Sequence, residues 1–277
     1  MVKAAGMLLL TLGMLVAISA TAAPAATPTY YLALGDSLAA GVGASSGHGY
    51  VDDVFAFEQQ GMPGLQLVNL SCSGATTDSV IHGGGGCTYD TGTQLGDAEA
   101  FLTAHLGEVA FITIDIGGND VAGCFFSIPM DAPCVAAALP GAVTNLTTIL
   151  TGLRSAGGAV PIVGMTYYDP FLAYWLQGGA GMQAAHDSVK LVKSANRALK
   201  ITYKKSKARV ADGGKAFLMS KFSLKGSWLS QTVPVNVAQA CLWTHMCTSN
   251  DFHANEAGHA ALAGAIEPVI AKLLPRP

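Results

Sequence analysis

An apolar run, Tyr30-Tyr31-Leu32-Ala33-Leu34, leads directly into Gly35-Asp36-Ser37. A short apolar run that is closed by turn-forming residues predicts a strand that enters a turn. Four further apolar runs predict four more strands, over residues 65–70, 109–116, 159–165 and 208–211. The Gly-Asp-Ser segment therefore lies where the first of five strands ends.

Between these strands lie segments whose apolar spacing is typical of helices, over residues 50–60, 94–106, 136–156, 182–205 and 256–274. Strands that alternate with helices predict right-handed crossovers and a parallel sheet covered on both faces. The expected fold class is α/β, a three-layer α/β/α sandwich with a central, mostly parallel five-stranded sheet. We expect the helix over 136–156 to break around Pro140, and the glycine-rich stretch 71–93 to be a loop.

The chain has 277 residues, 51% of them hydrophobic and 12% charged, so it can bury a large core. We expect one domain over residues 30–277, after a spacer over 23–29. Residues 1–22 are expected to be a secretory signal peptide, because a short apolar run over 7–18 is followed by Ala20-Thr21-Ala22. An uncleaved N-terminal anchor is the alternative. We expect no later segment to be apolar for long enough to span a membrane.

The formal net charge is −3, which provides no electrostatic reason to expect nucleic acid or an anionic membrane surface as a partner. A few basic residues cluster near the end of the helix predicted over 182–205. We interpret them as a solvated helix terminus: Lys200, Lys204, Lys205, Lys207 and Arg209.

Six cysteines follow the predicted signal peptide, and an even count in an exported chain favours disulfides. Sequential pairing closes short local loops and predicts Cys72–Cys87, Cys124–Cys134 and Cys241–Cys247. We therefore expect a secreted, extracellular protein, either released or associated with the cell envelope. The alternative, a zinc site, lacks a recognised ligand spacing; it would use Cys241, His245 and Cys247 with His253 or His259. We expect no metal.

Ser37 is the candidate nucleophile. In open α/β sheets, sites form beyond the carboxyl ends of the strands, where residues 35–37, 71–74 and 117–120 are expected to lie. A serine hydroxyl needs an adjacent base, usually histidine, and donors for the oxyanion that forms during attack. The alternative is that Ser37 only caps a helix. The Gly-x-Ser-x-Gly elbow of α/β-hydrolases is absent, because position 39 is alanine.

Four ordered blocks of sequence, which span nearly the whole predicted domain, resemble the GDSL/SGNH hydrolase family. They are Leu34-Gly35-Asp36-Ser37-Leu38, Ser73-Gly74-Ala75-Thr76, Ile116-Gly117-Gly118-Asn119-Asp120, and His253-Ala254-Asn255 with Gly258-His259. Four blocks in this order are far more specific than any one of them. The resemblance implies a flavodoxin-like sheet of the SGNH hydrolase type and a secreted bacterial esterase or lipase.

The resemblance also implies roles for single residues. Ser37 would be the nucleophile and His253 the general base, while the N–H groups of Ser37 and Gly74 and the side-chain amide of Asn119 would form the oxyanion hole. The chemistry agrees, because glycine allows close approach of the backbone and a carboxamide donates without adding charge. The alternative for Asn119 is a turn residue after two glycines.

One position departs from the family pattern. The usual acidic residue lies three positions before the catalytic histidine, where this chain has Asn250, and Asp251 lies two before. The Nδ1–H of His253 needs an acceptor, which is either the Asp251 carboxylate or the Asn250 backbone carbonyl of a Ser-His dyad. Side chains alternate in direction along an extended segment, which counts against Asp251. Both alternatives remain open at this stage.

Aromatic residues are frequent over 167–176 and at Phe125-Phe126, and apolar loops around a serine site favour an acyl chain over a sugar. The expected function is hydrolysis of carboxylic esters, of lipid or acyl type, by a monomer that needs no cofactor. The alternatives are a carbohydrate acetyl esterase and a non-catalytic secreted binding protein. We expect Asp115, inside an apolar strand, to be hydrogen-bonded or paired, and His259 to be a packed helix residue.

Overall fold

A parallel five-stranded sheet forms the centre of the computed structural model, which describes Met1 and residues 29–274. Its strands are β1 (Thr29–Gly35), β2 (Leu65–Asn69), β3 (Val109–Asp115), β4 (Ile162–Thr166) and β5 (Arg209–Asp212), in the order β2-β1-β3-β4-β5. The predicted α/β fold is confirmed, and all four strand pairings are parallel. Residues 2–28, which hold nearly all of the predicted signal peptide and spacer, lie outside the described residues.

Helices cover both faces of the sheet. They are α1 (Tyr50–Gly61), α2 (Thr77–His82), α3 (Gln94–Ala104), α4 (Asn119–Ala122), α5 (Ala132–Gly157), α6 (Gly179–Lys205), α7 (Gly213–Ala216), α8 (Val235–Trp243), α9 (Met246–Ser249) and α10 (Glu256–Ile270). The buried side chains of α1 and α10 pack on one face, and those of α3, α5 and α6 on the other. This arrangement is the expected three-layer sandwich.

The alternation of side chains along β1 connects the two cores. Tyr31 and Ala33 pack into the core under α1 and α10, whereas Leu32 and Leu34 pack into the opposite core. All four side chains are fully buried. A strand that is apolar on both faces is expected at the centre of a sheet with two helical layers, since successive side chains point to opposite faces.

Helix α5 corrects two expectations. It runs unbroken through Pro140, although a break was predicted there. Proline removes one backbone hydrogen bond, but the stripe of Leu146, Leu150 and Leu153 that follows it stays packed against the sheet. The helix is also long and apolar enough to cross a membrane by length and composition alone, which contradicts the expectation for later segments. In the folded protein, the apolar residues of α5 form a stripe along the helix that packs in the core.

The stretch 71–93, expected to be entirely loop, contains the short helix α2. Its first turn is closed by a capping box, in which the backbone N–H of Ser79 donates to Thr76 Oγ1 and the N–H of Thr76 donates to Ser79 Oγ. The run of glycines that follows the helix, Gly83 to Gly86, made the whole stretch resemble a loop. The predicted disulfide Cys72–Cys87 encloses the helix. The other disulfides are Cys124–Cys134 and Cys241–Cys247, so the three pairs are those expected from the sequence.

A further group of elements, which the sequence did not reveal, packs outside the two cores of the sheet. It contains an antiparallel hairpin, with strands β6 (Lys225–Trp228) and β7 (Gln231–Pro234), and a 3-10 helix, Pro170–Gln177. These elements pack with α8 and part of α6 around a third hydrophobic core. Part of this core, including Phe125, Phe171 and Val192, lines a cleft at the strand ends.

Candidate active site

Ser37 lies two residues beyond the end of β1 and is almost completely buried. The chain turns at Gly35, whose φ of 144° is a value that glycine adopts readily and other residues rarely adopt. The side-chain amide of Gln94 holds this point, because Oε1 accepts from the Gly35 N–H at 2.9 Å and Nε2 donates to its carbonyl at 3.1 Å. The nucleophile candidate is therefore carried on a fixed backbone.

His253 faces Ser37 across the site. Its Nε2 lies 3.0 Å from Ser37 Oγ, within the range that a general base needs. The segment that carries it is fixed from two sides: the Tyr168 hydroxyl donates to the carbonyl of Phe252 at 2.9 Å, and the His245 N–H donates to the carbonyl of His253 at 3.0 Å. These contacts orient the ring towards the hydroxyl before any substrate arrives.

The structure places Asp251, and not the Asn250 carbonyl, at the other ring nitrogen. Asp251 Oδ1 lies 2.6 Å from His253 Nδ1 and accepts from the backbone N–H of His253 at 3.0 Å. The second contact is an Asx turn, which folds the carboxylate back over the residue two positions on. Asn250 enters this turn in the left-handed conformation, with φ of 56°. Side chains do not alternate here as expected, because residues 250–253 form a turn and not an extended strand.

The pKa of Asp251 reflects the same contacts. Partial burial alone would raise the pKa of this carboxyl, but the hydrogen bonds from the backbone and ring of His253 outweigh it and lower the pKa. A carboxylate that stays ionised fixes the ring tautomer with the proton on Nδ1 and leaves Nε2 free to accept one. The side chain of Asp251 is 42% exposed, whereas that of His253 is 17% exposed.

The proposed oxyanion-hole groups come from three separate segments. The backbone N–H groups of Ser37 and Gly74 make no hydrogen bond within the described part of the chain, so both are free to donate. Asn119 Nδ2 donates one hydrogen to the Ala75 carbonyl at 2.9 Å, and this leaves its second hydrogen for a ligand. Ser37 and Asn119 line the cleft at the strand ends, while Gly74 lies outside its lining.

Asp120 is a structural clamp that sequence reasoning missed. Its two carboxylate oxygens accept from the backbone N–H of Thr77, at 3.0 Å, and from the Thr77 hydroxyl, at 2.5 Å. The clamp ties the start of α2 to α4, and so it holds Asn119 beside the segment that contains Gly74. The Gly117-Gly118-Asn119-Asp120 block could have suggested this, since Asp is a common partner for backbone N–H groups at helix starts.

Two buried carboxyl groups lie next to the nucleophile candidate. Asp36 accepts from the N–H of Leu38 at 3.0 Å and from the Tyr167 hydroxyl at 2.6 Å. Asp115 accepts from the Tyr50 hydroxyl, as expected for a hydrogen-bonded buried acid. Burial and the neighbouring Asp36 carboxylate raise the pKa of Asp115 well above its usual range. Burial also raises the pKa of Asp36, while the hydrogen bonds from Tyr167 and Leu38 oppose that shift.

His259 is a packed, structural histidine, as the sequence suggested. It is fully buried, its Nδ1 accepts from the backbone N–H of Tyr50 at 3.1 Å, and its Nε2 lies 3.1 Å from the Val42 carbonyl. Burial lowers the pKa of this imidazole, so the ring stays neutral. The histidine thus fixes the loop after Ser37 to α10 and takes no part in proton transfer.

The cleft beside Ser37 and His253 is largely apolar. Its polar edge consists of Asp36, Ser37, Asn119, Tyr167, Asn196 and His253. Its apolar walls include Val121, Phe125, Pro170, Phe171, Val192 and Phe252. The rings of Phe125 and Phe171 stack with centroids 5.0 Å apart. The aromatic residues noted in the sequence thus have different contacts. The Tyr167 hydroxyl donates to the Asp36 carboxylate, the Tyr168 hydroxyl donates to the Phe252 carbonyl, and Phe171 forms part of the apolar wall.

The zinc alternative does not fit the residues present. All six cysteines are in disulfides, and within the described residues no group of three metal-ligating side chains could hold an ion. Cys241 and Cys247 are bonded to each other, and His245 Nε2 contacts the carbonyl of Gly43 at 2.8 Å. The disulfide and this histidine instead support the segment that leads to His253.

The parallel sheet and the site at its carboxyl edge define an α/β protein of the SGNH hydrolase type. The sequence matches the GDSL-like lipase/acylhydrolase family over residues 33–261, and the chain belongs to this family of carboxylic ester hydrolases. The resemblance drawn from the four sequence blocks is confirmed. No curated protein sequence matches the chain.

Solved structures with a similar fold come from several bacteria and a metagenome. A lipase from a goat rumen metagenome shares 18% identity, with 87% of this chain and 96% of that chain covered and a TM-score of 0.60. An extracellular lipase from Streptomyces rimosus shares 20% identity, with 89% and 100% covered and a TM-score of 0.57. An acetylxylan esterase from Geobacillus stearothermophilus shares 18% identity, with 88% and 95% covered and a TM-score of 0.52.

Proposed function

We propose that this protein is a serine hydrolase that cleaves carboxylic esters with apolar acyl groups, with Ser37 as nucleophile, His253 as general base and Asp251 as the residue that orients His253. The observation that carries the proposal is the continuous chain of contacts from Asp251 through His253 to Ser37, at 2.6 and 3.0 Å. A histidine that is held on one side and faces a serine on the other is the arrangement that activates a hydroxyl.

The reaction proceeds in two acyl transfers. Ser37 Oγ attacks the ester carbonyl carbon while its proton passes to His253 Nε2, and the carbonyl oxygen becomes the oxyanion. The N–H groups of Ser37 and Gly74 and the free hydrogen of Asn119 stabilise that charge. The proton on Nε2 then passes to the leaving alcohol as the carbon–oxygen bond breaks. Water attacks the acyl-enzyme carbonyl while its proton passes to His253 Nε2. The bond between the acyl carbon and Ser37 Oγ then breaks, the proton on Nε2 returns to Ser37 Oγ, and the acid is released.

The apolar walls of the cleft support an acyl chain as the group bound beside Ser37. Phe125, Phe171 and Val192 line the cleft and also belong to the third core, so packing holds this apolar wall in place. Phe126 is 56% exposed and contacts the rings of Phe171 and Phe252, which extends the apolar surface towards solvent. Two of the similar structures are lipases, which agrees with this preference.

The second candidate is a carbohydrate acetyl esterase, because an acetylxylan esterase is among the structures of similar fold. An acetyl group is small enough to leave most of the apolar wall unused. This candidate therefore predicts highest activity on acetate esters, whereas the first predicts an optimum at a longer acyl chain.

We also propose that the protein is secreted and acts as a monomer on small-molecule esters. Three disulfides support an oxidising compartment, and a similar structure belongs to an extracellular Streptomyces lipase. Expression of the full chain, followed by N-terminal sequencing of the exported protein, should give Ala23 as the first residue. Gel filtration of that protein should give the mass of one chain.

The experiment that tests the proposed chemistry is hydrolysis of p-nitrophenyl esters from acetate to palmitate by the wild type, Ser37→Ala and Ser155→Ala. Ser155 is an exposed serine on α5, so its variant controls for the loss of a hydroxyl. We expect activity in the wild type and the control only. Equal activity in Ser37→Ala would refute the serine mechanism, and an inactive, folded wild type would favour a binding protein that retains the fold.

The acyl preference has its own test. Ala122 lines the cleft and is half-buried, whereas Ala137 is exposed on α5 outside the cleft lining. We expect Ala122→Phe to move the optimum to shorter esters, because the larger side chain fills the apolar cleft, and Ala137→Phe to leave the optimum unchanged. An unchanged optimum in both variants would show that acyl chains bind elsewhere.

A further inference from the structure

A second cleft, separate from the catalytic groups, is lined by basic side chains. It lies between α6 and the segment formed by α7 and the turn after it, and its volume is about 480 Å³. A water molecule occupies about 30 Å³ of liquid, so the cleft has room for a polyatomic anion with its water shell. Its five basic residues are Lys193, Arg197, Lys200, Lys215 and Lys221.

Positive charge faces the cleft from both walls. Lys193, Arg197 and Lys200 are spaced i, i+4 and i+7 and therefore share one face of α6, while Lys215 and Lys221 come from the opposite segment. These five make up a third of the 15 Lys and Arg residues of a chain whose formal net charge is −3. The cleft thus concentrates a charge opposite to that of the whole protein.

A single carboxylate, that of Asp212, lines the cleft, and its two oxygens are already engaged. Oδ2 pairs with Lys200 Nζ at 2.5 Å, and Oδ1 accepts from the backbone N–H of Lys215 at 3.0 Å, where it caps α7. The charged ends of Lys193, Arg197, Lys215 and Lys221 have no carboxylate partner among residues 29–274.

A neutral donor adds to these charges. Ser220 lines the cleft, is exposed, and its hydroxyl makes no hydrogen bond within residues 29–274. Like charges on facing walls repel one another, and a ligand of opposite charge that sits between them removes this repulsion. Guanidinium, ammonium and hydroxyl donors around one space are the groups that bind phosphate, since Arg contacts two of its oxygens and Lys supplies point charges.

We propose that this cleft binds a phosphate group, with Arg197 and Lys193 holding it from α6 and Lys215, Ser220 and Lys221 from the other wall. The phosphate belongs either to a soluble phosphorylated molecule or to a phospholipid head group. The proposal does not depend on ester hydrolysis, because the basic residues that form this cleft line no part of the apolar cleft.

The proposal refines the interpretation of the basic residues near the end of α6. Lys204 and Lys205 are exposed and lie outside the lining of the cleft, so the solvated-terminus interpretation suits them. Lys200 is different, because it lines the cleft and pairs with Asp212. The double variant Lys204→Gln/Lys205→Gln is therefore a matched control that removes two charges from the same helix.

The test is titration calorimetry of the folded wild type with inorganic phosphate, against sodium chloride at equal ionic strength. The same titration is made on Arg197→Gln/Lys215→Gln, which removes one cation from each wall, and on the control pair. Asn196 is left unchanged because it lines both clefts. We expect saturable binding in the wild type and the control, and binding about 10- to 100-fold weaker in the cleft variant, since charge-assisted hydrogen bonds contribute this much.

A second arm identifies the source of the phosphate. Sedimentation with phosphatidylglycerol vesicles, against vesicles of neutral net charge made from phosphatidylcholine, tests a head group in a membrane. Vesicle binding that the cleft variant loses and the control keeps supports a head-group site, even where free phosphate binds weakly. The proposal is overturned if the wild type binds neither phosphate nor the anionic vesicles, or if all three proteins bind them equally.

Discussion

Replacement of Asp251 by asparagine tests how His253 is held in place. Asparagine keeps an oxygen that can accept from the backbone N–H of His253, so the Asx turn is preserved while the charge is lost. Alanine removes both contacts. Because Asp251 lies outside the lining of the cleft, we expect both variants to lower kcat and to leave KM nearly unchanged.

The magnitude follows from the exposure of the carboxylate. A hydrogen bond to a charged group contributes about 1.5–3 kcal/mol, and a side chain that is 42% exposed belongs at the lower end because solvent screens it. About 1.5–2 kcal/mol corresponds to a loss of roughly 10- to 30-fold in kcat. For a buried aspartate in a serine protease, the same substitution costs about 10⁴-fold. We therefore expect a weaker effect than in that enzyme, and a larger loss for Asp251→Ala than for Asp251→Asn.

The assay is the initial rate of p-nitrophenyl ester hydrolysis at neutral pH, at the acyl length that the wild type prefers. Asp187→Asn is the control, because this carboxylate pairs with Lys190 on the surface of α6, away from the site. A loss below about 3-fold in both Asp251 variants would refute an orienting role and favour a dyad. A loss near 10⁴-fold would refute the argument from exposure.

Three further outcomes are expected. Asn119→Ala should lower kcat by about 10²–10³-fold in the same ester assay, because it removes an oxyanion donor. Burial raises the pKa of Asp169 to about 7, above the unfolded value of 3.8. The protonated carboxyl therefore stabilises the fold fully below pH 4, and this stabilisation, about 4 kcal/mol, is lost as the pH rises to 7. In urea unfolding between pH 4 and pH 8, Asp169→Asn should remove this pH-dependent loss. Gly35→Ala should lower the melting temperature far more than Gly84→Ala. Both glycines have positive φ, but only at position 35 would the new Cβ lie 2.5 Å from a backbone atom, the Asp115 carbonyl oxygen.

The fold could be predicted from the sequence because its elements follow local patterns. The run over 30–34 is apolar on every residue, as a central strand between two helical layers must be, and the helices carry their own periodicity. The continuous α5 escaped prediction because packing, and not composition, keeps the helix unbroken at Pro140. The short α2 escaped prediction because its first turn depends on a capping box. The hairpin and α8 escaped prediction because neither has a strong period, and the third core that stabilises them joins distant segments of the chain.

The residues of the candidate site divide in the same way. Ser37, Asn119 and His253 could be predicted because they lie in short blocks at strand ends or in the closing segment. The contact between the Asp251 carboxylate and His253 Nδ1 could not be predicted. It depends on whether Asn250 adopts a turn or an extended conformation, and no local pattern distinguished the two. Gln94 is another partner found only in the structure, since it contacts Gly35 from 59 positions away.

The long-range partners Gln94 and Tyr168 both bond to backbone groups beside the candidate catalytic residues, and not to the catalytic side chains themselves. Gln94 and Tyr168 bond to backbone groups of Gly35 and Phe252, which lie two positions and one position before the candidate catalytic residues. They leave the Ser37 hydroxyl and the His253 Nε2 to each other. A partner on the reacting atoms themselves would compete with the substrate. Polar groups near a cleft must be hydrogen-bonded in the folded state. Hydrogen bonds to the backbone that carries Ser37 and His253 order the site and leave the side chains of both residues able to react. The candidate site is therefore organised in the absence of substrate, and the apolar cleft beside it is the surface on which the proposed acyl preference depends.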